Sequence, residues 1–101
     1  MGHTRAPFSQ MEWLPAASLE SKKTCADPRV SMLQFDPGFA DPNWCVNAHI
    51  GVVLSGSIEL EYEDSREVYC EGDAFVIDRG TRHRARNSGT SPVRLFIVSN
   101  P

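Results

Sequence analysis

Imidazole and thiol side chains are the residues of this chain best suited to hold a metal ion or to react, and both are scarce. The histidines are His3, His49 and His83, and the cysteines are Cys25, Cys45 and Cys70. Cys45 and His49 are four residues apart, and His83 follows much later in the chain. Chemistry based on imidazole therefore has few places to occur.

The cysteine count also bears on the compartment in which the protein works. Three cysteines are an odd number, and their spacings are wide and form no motif. This argues against a disulfide scaffold and predicts a reducing, cytoplasmic setting.

Length and charge exclude several classes of function. The chain has 101 residues, which is enough for one domain with one hydrophobic core. The net charge is −3 and the isoelectric point is near 5.5, so nothing attracts the chain to a phosphate backbone, and no nucleic-acid partner is expected. No apolar run approaches the roughly 18 residues of a membrane helix, and residues 1–10 lack the layout of a secretory signal.

The elements that must position these residues fall into two parts. Residues 1–29 hold three prolines and little pattern, so we predict an N-terminal arm with at most one or two helical turns, anchored by Trp13 and Leu14. Residues 30–101 change to short β-prone runs separated by turn residues. Seven strands are predicted there: 30–35, 49–54, 57–63, 67–70, 74–77, 82–87 and 93–98. Their spacing is typical of an all-β sandwich or closed barrel.

Two local patterns refine this picture. Ser55-Gly56 between two strands predicts a tight hairpin, since glycine supplies the positive φ that such turns need. Acidic residues alternate with apolar ones at positions 59, 61 and 63 on the second strand of this pair, and arginines alternate with His83 and Ala85 at positions 82, 84 and 86 on a later strand. We expect these stripes to face outward and form exposed ion pairs; the alternative is a phosphate- or carboxylate-binding arginine stripe.

The spacing of five residues resembles the second conserved motif of the cupin superfamily. They are Gly72, Asp78, Gly80, His83 and Asn87, with Asp78 where the family usually has proline. Upstream, Pro37-Gly38 and Val53-Leu54-Ser55-Gly56 resemble the two ends of the first cupin motif. The resemblance implies a small single-domain cupin, whose fold is a single jelly-roll β-barrel (a double-stranded β-helix). The resemblance implies less about function, because proteins with this fold catalyse many different reactions and some are not enzymes.

The first motif departs from the family at its metal ligands. Counting back from Gly56 puts His49 in the position of the usual glutamate, and the usual histidine pair falls on Asn43 and Cys45. Counting forward from Gly38 gives Trp44 and Val46 instead, so two registers of the loop 41–47 stay open. Of the family's usual histidine ligands, only the one in the second motif, His83, carries over directly.

The resemblance nevertheless implies a site inside the barrel. In a cupin the positions of His49 and His83 both point inward, and Cys45 could reach the same cavity from its loop. One thiolate and two imidazoles suit one divalent metal, Zn²⁺, Fe²⁺, Ni²⁺ or Mn²⁺, with Asp41 or Asn43 as a further oxygen ligand. The alternative is that both histidines are inward polar residues and Cys45 is a small buried hydrophobe.

Four further residues are expected to line the ligand pocket: Trp44, Val53, Tyr62 and Phe75. Trp44 could stack on a ligand at the cavity mouth, or it could be a core or dimer-contact aromatic. The Tyr62 hydroxyl could reach a ligand, or it could satisfy a core carbonyl.

Three functions follow from these expectations. The first is a metal-dependent enzyme of oxygenase, isomerase or lyase type acting on a small polar organic molecule. The second is a non-catalytic small-molecule-binding or sensor module without metal, and the third is a structural subunit. A homodimer is expected as well, because Phe8, Trp13 and Leu14 are apolar residues on an arm that offers little to cover them.

Overall fold

The computed structural model describes residues 2–25, 27 and 29–100, and its regular structure is almost entirely β-strand. A single 3-10 turn, Phe8–Gln10, precedes strands β1 (Leu14–Pro15), β2 (Glu20–Thr24), β3 (Val30–Phe35), β4 (Ala48–Ser55), β5 (Ser57–Tyr62), β6 (Arg66–Cys70), β7 (Ala74–Ile77), β8 (His83–Arg86) and β9 (Val93–Asn100). In this part of the chain no helix is long and apolar enough to cross a membrane.

The strands form two antiparallel sheets whose inner faces enclose one core. The larger sheet has the order β1-β2-β3-β9-β4-β7, and the smaller has the order β6-β5-β8. Both sheets contribute apolar side chains to a single buried cluster, among them Phe35, Val53, Leu95, Ile58 and Leu60. The predicted all-β architecture is confirmed, and the seven predicted strands correspond to β3 to β9.

The predicted hairpin at Ser55-Gly56 is wrong. β4 pairs with β7 and β9, whereas β5 pairs with β6 and β8, so the turn carries the chain from the larger sheet to the smaller one. Gly56 has a φ of +78°, and a Cβ there would lie 2.6 Å from the carbonyl oxygen of Pro92. Glycine is thus required at this corner both by its backbone conformation and by the close approach of a neighbouring strand.

The N-terminal arm is more regular than its sequence suggests. Its strand β2 pairs with β3, and β1 pairs with β2, so the arm adds two strands to the larger sheet. Trp13 is half-buried beneath the cations of Lys23 and Arg94, with the Lys23 ammonium 4.8 Å from the ring centroid. Leu14, expected to be a second anchor, is instead 60% exposed.

The acidic and basic stripes pair across the outer face of the smaller sheet, as predicted. Register places Glu61 opposite Arg84, and the Arg84 Nε donates to the Glu61 carboxylate at 2.7 Å. This hydrogen bond and the surrounding arginines hold the pKa of Glu61 below its ordinary value. Glu59 and Arg86 form the next pair along the strands, at 2.9 Å. The arginines are therefore engaged on the outer surface.

Asn87 fixes the loops that follow β3 and β8. Its side chain, 1% exposed, donates to the carbonyl oxygens of Phe35 at 3.0 Å and Ser91 at 2.9 Å, and its Oδ1 accepts from Gly89 N at 3.0 Å. This buried amide ties β3, which belongs to the larger sheet, to the chain leaving β8 of the smaller sheet.

Candidate metal centre

A cavity of about 520 Å³ opens between the two sheets. Much of its wall is apolar, formed by side chains such as Leu33, Phe35, Leu60, Phe75 and Leu95. Cys45, His49 and His83 also lie on this wall. A cavity of this size that is mainly apolar with a few polar groups is typical of small-molecule sites.

His83 is the most buried of the three. It is the first residue of β8 and is only 5% exposed. Its Nδ1 lies 2.9 Å from the carbonyl oxygen of Thr81, to which it donates. Because a neutral imidazole carries one proton, this bond leaves Nε2 unprotonated and available as a ligand.

Cys45 is placed by main-chain pairing with His83. The two residues form an isolated antiparallel bridge, with Cys45 N donating to His83 O at 2.8 Å and His83 N donating to Cys45 O at 3.0 Å. Directly opposite residues in an antiparallel pair send their side chains to the same face. The loop containing Cys45 thus delivers its thiol beside the His83 imidazole.

His49 approaches from the larger sheet. It lies near the start of β4, and its ring centroid is 5.0 Å from that of His83. Its Nδ1 is 3.0 Å from Ser99 Oγ on β9, and its Nε2 is 3.7 Å from Cys45 Sγ. Burial, with a smaller contribution from repulsion between the protonated forms of the two rings, lowers the pKa of His49, which favours the neutral form that metals bind.

The three ligand atoms form one compact group. Among the described residues, the sulfur of Cys45 and the ring nitrogens of His49 and His83 lie within 4.8 Å of one another. A tetrahedral zinc ion with ordinary bond lengths holds sulfur and nitrogen about 3.5 Å apart, close to the distance between Cys45 and His49. Hydrogen bonds to the second ring nitrogen, as both histidines make here, are typical of metal-ligating histidines. The donor set fits a divalent metal.

Asp41 is close to this group but is engaged elsewhere. Its Oδ2 accepts from Ala85 N at 2.9 Å, and it is not among the clustered ligand atoms. Burial raises the pKa of Asp41, although the Ala85 N–H and the charge of His83 partly offset this effect. Asn43, the other oxygen ligand considered, lies on the cavity wall at an exposed position.

The structure separates the four expected pocket residues into two pairs. Trp44 and Phe75 line the cavity, whereas Val53 belongs to the buried core and Tyr62 lies outside the wall. The Tyr62 hydroxyl is 3.3 Å from that of Tyr69, and burial raises its pKa. Trp44 stacks against Arg84, whose guanidinium carbon is 4.3 Å from the ring centroid.

The comparison with protein families agrees with this architecture. A family model described as the Cupin domain matches residues 33–99, which is most of the chain. The chain belongs to the cupin family. Solved structures of similar fold cover more than nine-tenths of this cupin. No curated protein matches it.

Three solved structures illustrate the similarity of fold. KdgF from Halomonas sp. is 23% identical with a TM-score of 0.75, covering 92% of this chain and 91% of that one. A predicted oxalate decarboxylase from Thermotoga maritima is 12% identical with a TM-score of 0.80, covering 95% and 97%. The cupin domain of Drosophila melanogaster CENP-C is 18% identical with a TM-score of 0.77, covering 95% and 80%. At these identities the likeness establishes the fold alone.

Several polar groups of the cavity escaped prediction from sequence, Ser99 and Lys22 among them. Ser99 holds the His49 ring, and Lys22 brings an ammonium group to the wall. Leu95, Ile97 and Ser99 alternate along β9 and all line the cavity. A polar residue at the next inward position of this strand could therefore have identified Ser99 as a cavity residue. Lys22 gave no such signal, because β2 is polar on both faces.

Proposed function

We propose that this cupin holds one divalent metal ion with Cys45, His49 and His83, and binds a small polar organic molecule in the adjoining cavity. The observation that supports this most strongly is the convergence of three ligand atoms within 4.8 Å on the cavity wall. The hydrogen bonds at both Nδ1 atoms add to it, because each fixes the orientation of its imidazole ring beside the cluster.

The donor set favours Zn²⁺ over the other divalent ions considered, Fe²⁺, Ni²⁺ and Mn²⁺. A thiolate is a soft ligand, and one thiolate with two imidazoles is a set found at catalytic zinc sites, where a fourth position is left for water or substrate. When bound, such an ion supplies Lewis acidity that polarises a ligand oxygen or activates water. A thiolate ligand also requires reduced cysteines, so we propose a reducing, cytoplasmic location; Cys25, Cys45 and Cys70 are all free.

Of the reaction types expected for this site, we propose isomerase or lyase chemistry. An oxygenase of the facial-triad kind uses two histidines and a carboxylate. The nearest carboxylate here, Asp41, accepts a main-chain hydrogen bond from Ala85 instead. The chain's own contributions are the orientation of both imidazoles and an apolar wall that displaces water from the bound molecule.

A non-catalytic binding module is the second candidate. Both carboxylates that line the cavity, Glu20 and Asp41, accept hydrogen bonds from main-chain N–H groups. Neither carboxylate belongs to the ligand cluster, and this arrangement favours reversible binding over turnover.

We also propose that two copies of the chain associate through the outer face of the larger sheet. Ile50 on β4 and Val76 on β7 are directly opposite each other and are 56% and 72% exposed. Leu54 on β4 is exposed as well. Contiguous exposed apolar residues on a sheet mark interaction surfaces, and Val76 lies on the short edge strand β7, which carries no charged side chain.

Metal analysis of the full chain, purified without a histidine tag, tests the proposed function. We expect about one equivalent of metal per chain, and a rise in melting temperature when Zn²⁺ is added to chelator-treated protein. A protein that carries no metal and gains no stability with Zn²⁺, Fe²⁺, Ni²⁺ or Mn²⁺ would contradict the metal site and favour the binding module.

A further inference from the structure

A line of polar side chains crosses the inner wall of the cavity, from the N-terminal arm to the ligand cluster. Its members lie on four neighbouring strands, β2, β3, β9 and β4, in that order, and all four line the cavity: Lys22, Ser31, Ser99 and His49. We call this line the polar track.

The register of the sheet makes the track continuous. Lys22 is opposite Leu33, so Ser31, two residues earlier on β3, is its diagonal neighbour on the same face. Ser31 is opposite Ile97, so Ser99, two residues later on β9, is its diagonal neighbour in turn. Ser99 is directly opposite the β4 histidine. Diagonal neighbours of this kind are within reach of long side chains.

Lys22 brings an ammonium group that the protein does not neutralise. No carboxylate oxygen of the described residues lies within 4.0 Å of it. The carboxylates of Glu20 and Asp41 accept main-chain hydrogen bonds, at 3.4 Å from Ala17 N and 2.9 Å from Ala85 N. Lys22 is half-buried and lines the cavity wall, and an ammonium group pairs most strongly with an anionic partner, so the site favours an anion from outside the chain.

Ser31 adds a hydroxyl-bearing side chain at the middle of the track. The residue is 8% exposed and lines the cavity. On the inner face it lies directly opposite Thr24 on β2 and Ile97 on β9. A serine on the cavity wall can donate a hydrogen bond to a ligand oxygen or accept one from a ligand hydroxyl.

We infer that the polar track selects a small organic monocarboxylate, whose carboxylate pairs with Lys22 and whose hydroxyl or carbonyl oxygens contact Ser31 and extend toward the cluster at His49. This inference rests on the proposed function, since it names the substrate class of the same cavity. Three strand spacings, about 14 Å, separate β2 from β4, and the lysine side chain covers part of that distance, so a chain of several carbon atoms fits. One ammonium group matches one carboxylate, whereas a phosphate dianion requires more donors.

Calorimetric titration of the full chain with gluconate, and with its uncharged analogue sorbitol, tests the inference. The titrations use zinc-loaded and chelator-treated protein, and zinc content is measured separately for each variant. Lys22→Gln removes the charge and Ser31→Ala removes the hydroxyl. Lys23→Gln is the matched control, because Lys23 lies on the opposite face of β2, where its ammonium group is over the Trp13 ring.

We expect gluconate but not sorbitol to bind, and Lys22→Gln to weaken gluconate binding about tenfold or more while Lys23→Gln leaves it unchanged. Ser31→Ala should weaken it by a smaller factor. Equal binding by wild type and Lys22→Gln overturns the inference, as does sorbitol binding as tight as gluconate binding, or no gluconate binding by wild type up to about 10 mM. If the wild type binds no zinc, the proposed metal site is contradicted, but the inference about Lys22 is not. The titrations of metal-free protein then still test the role of Lys22.

Discussion

Cys45 and His83 exchange two main-chain hydrogen bonds, at 2.8 and 3.0 Å, although Cys45 lies in the loop before β4 and His83 begins β8. This main-chain bridge places the thiol of Cys45 and the imidazole of His83 on the same face, beside each other. The third member of the cluster, His49, comes from the opposite sheet, so the cluster joins the two halves of the fold. A metal bound there would link both sheets and add to the stability of the fold.

Removal of either histidine should abolish metal binding. Replacing His49 or His83 by alanine is expected to lower zinc affinity at least about a hundredfold, because even partners of metal-ligating histidines contribute 10- to 100-fold. Competition with a chromophoric chelator measures the affinity, and circular dichroism verifies the fold. His3→Ala, which lies outside the cluster, is the control. Undiminished affinity in either cluster variant would remove that histidine from the ligand set.

The metal-free protein should become less stable as the pH falls below neutrality. The pKa of His49 is lowered from its ordinary 6.5 by burial and by His83, so the unfolded chain takes up a proton in a pH range where the folded chain does not. The free energy of unfolding therefore begins to decrease as the pH falls through 6.5, the ordinary pKa of histidine. Asp41, whose pKa is raised, acts in the opposite direction at lower pH.

Urea unfolding at about pH 7.5 and pH 6 separates these effects, because both values lie above the ordinary range of carboxylates. The unfolding free energy of the wild type should fall between them, and that of His49→Gln should fall less. A variant whose loss of stability equals that of the wild type would show that His49 is not the responsible group.

Asn87 is expected to be a major contributor to stability. Replacement by alanine removes three hydrogen bonds and leaves buried main-chain groups without partners, which should lower the free energy of unfolding by about 2–4 kcal/mol. Chemical denaturation measures the change, with the exposed Asn43→Ala as the control. A change below about 1 kcal/mol would mean that water replaces these bonds.

Charge on the outer face of the larger sheet should disrupt self-association. Ile50→Lys and Val76→Lys each place a cation in the exposed apolar face and should convert a dimer to a monomer in light scattering at micromolar concentration. Val68→Lys is a matched control, since Val68 is also highly exposed but lies on the smaller sheet. A monomeric wild type, or dimers that persist in both variants, would exclude this interface.

The strands of residues 30–101 were predictable because several of them alternate apolar and polar residues, as half-buried strands do. Ile58, Leu60 and Tyr62 face one side of β5 and Glu59 and Glu61 the other, and the structure keeps that division. The second motif likewise identified His83 and Asn87 through their spacing from Gly72. Counting back from Gly56 placed Cys45 and His49 in ligand positions, and the structure brings both to His83.

The features that could not be predicted from the sequence are those determined by long-range strand pairing or by the shape of the cavity. A Ser55-Gly56 turn suits both a hairpin and a corner between two sheets, so its sequence alone does not distinguish them. The corner forms because β4 pairs with β9, some fifty residues away in the chain. Strand β2 lacks an apolar face because its inward residues, Glu20 and Lys22, line the cavity. Alternation put Tyr62 on the correct side of β5, but its position at the strand end places its hydroxyl beside Tyr69 rather than in the cavity.

X-ray absorption spectroscopy of the zinc-loaded protein tests the metal site most directly, because it distinguishes sulfur from nitrogen ligands. We predict one sulfur at about 2.3 Å and at least two nitrogens at about 2.0 Å. Cys45→Ser should lose the sulfur shell, whereas Cys25→Ser and Cys70→Ser should keep it. A zinc environment containing only nitrogen and oxygen, or a sulfur shell that survives Cys45→Ser, would contradict the proposed site.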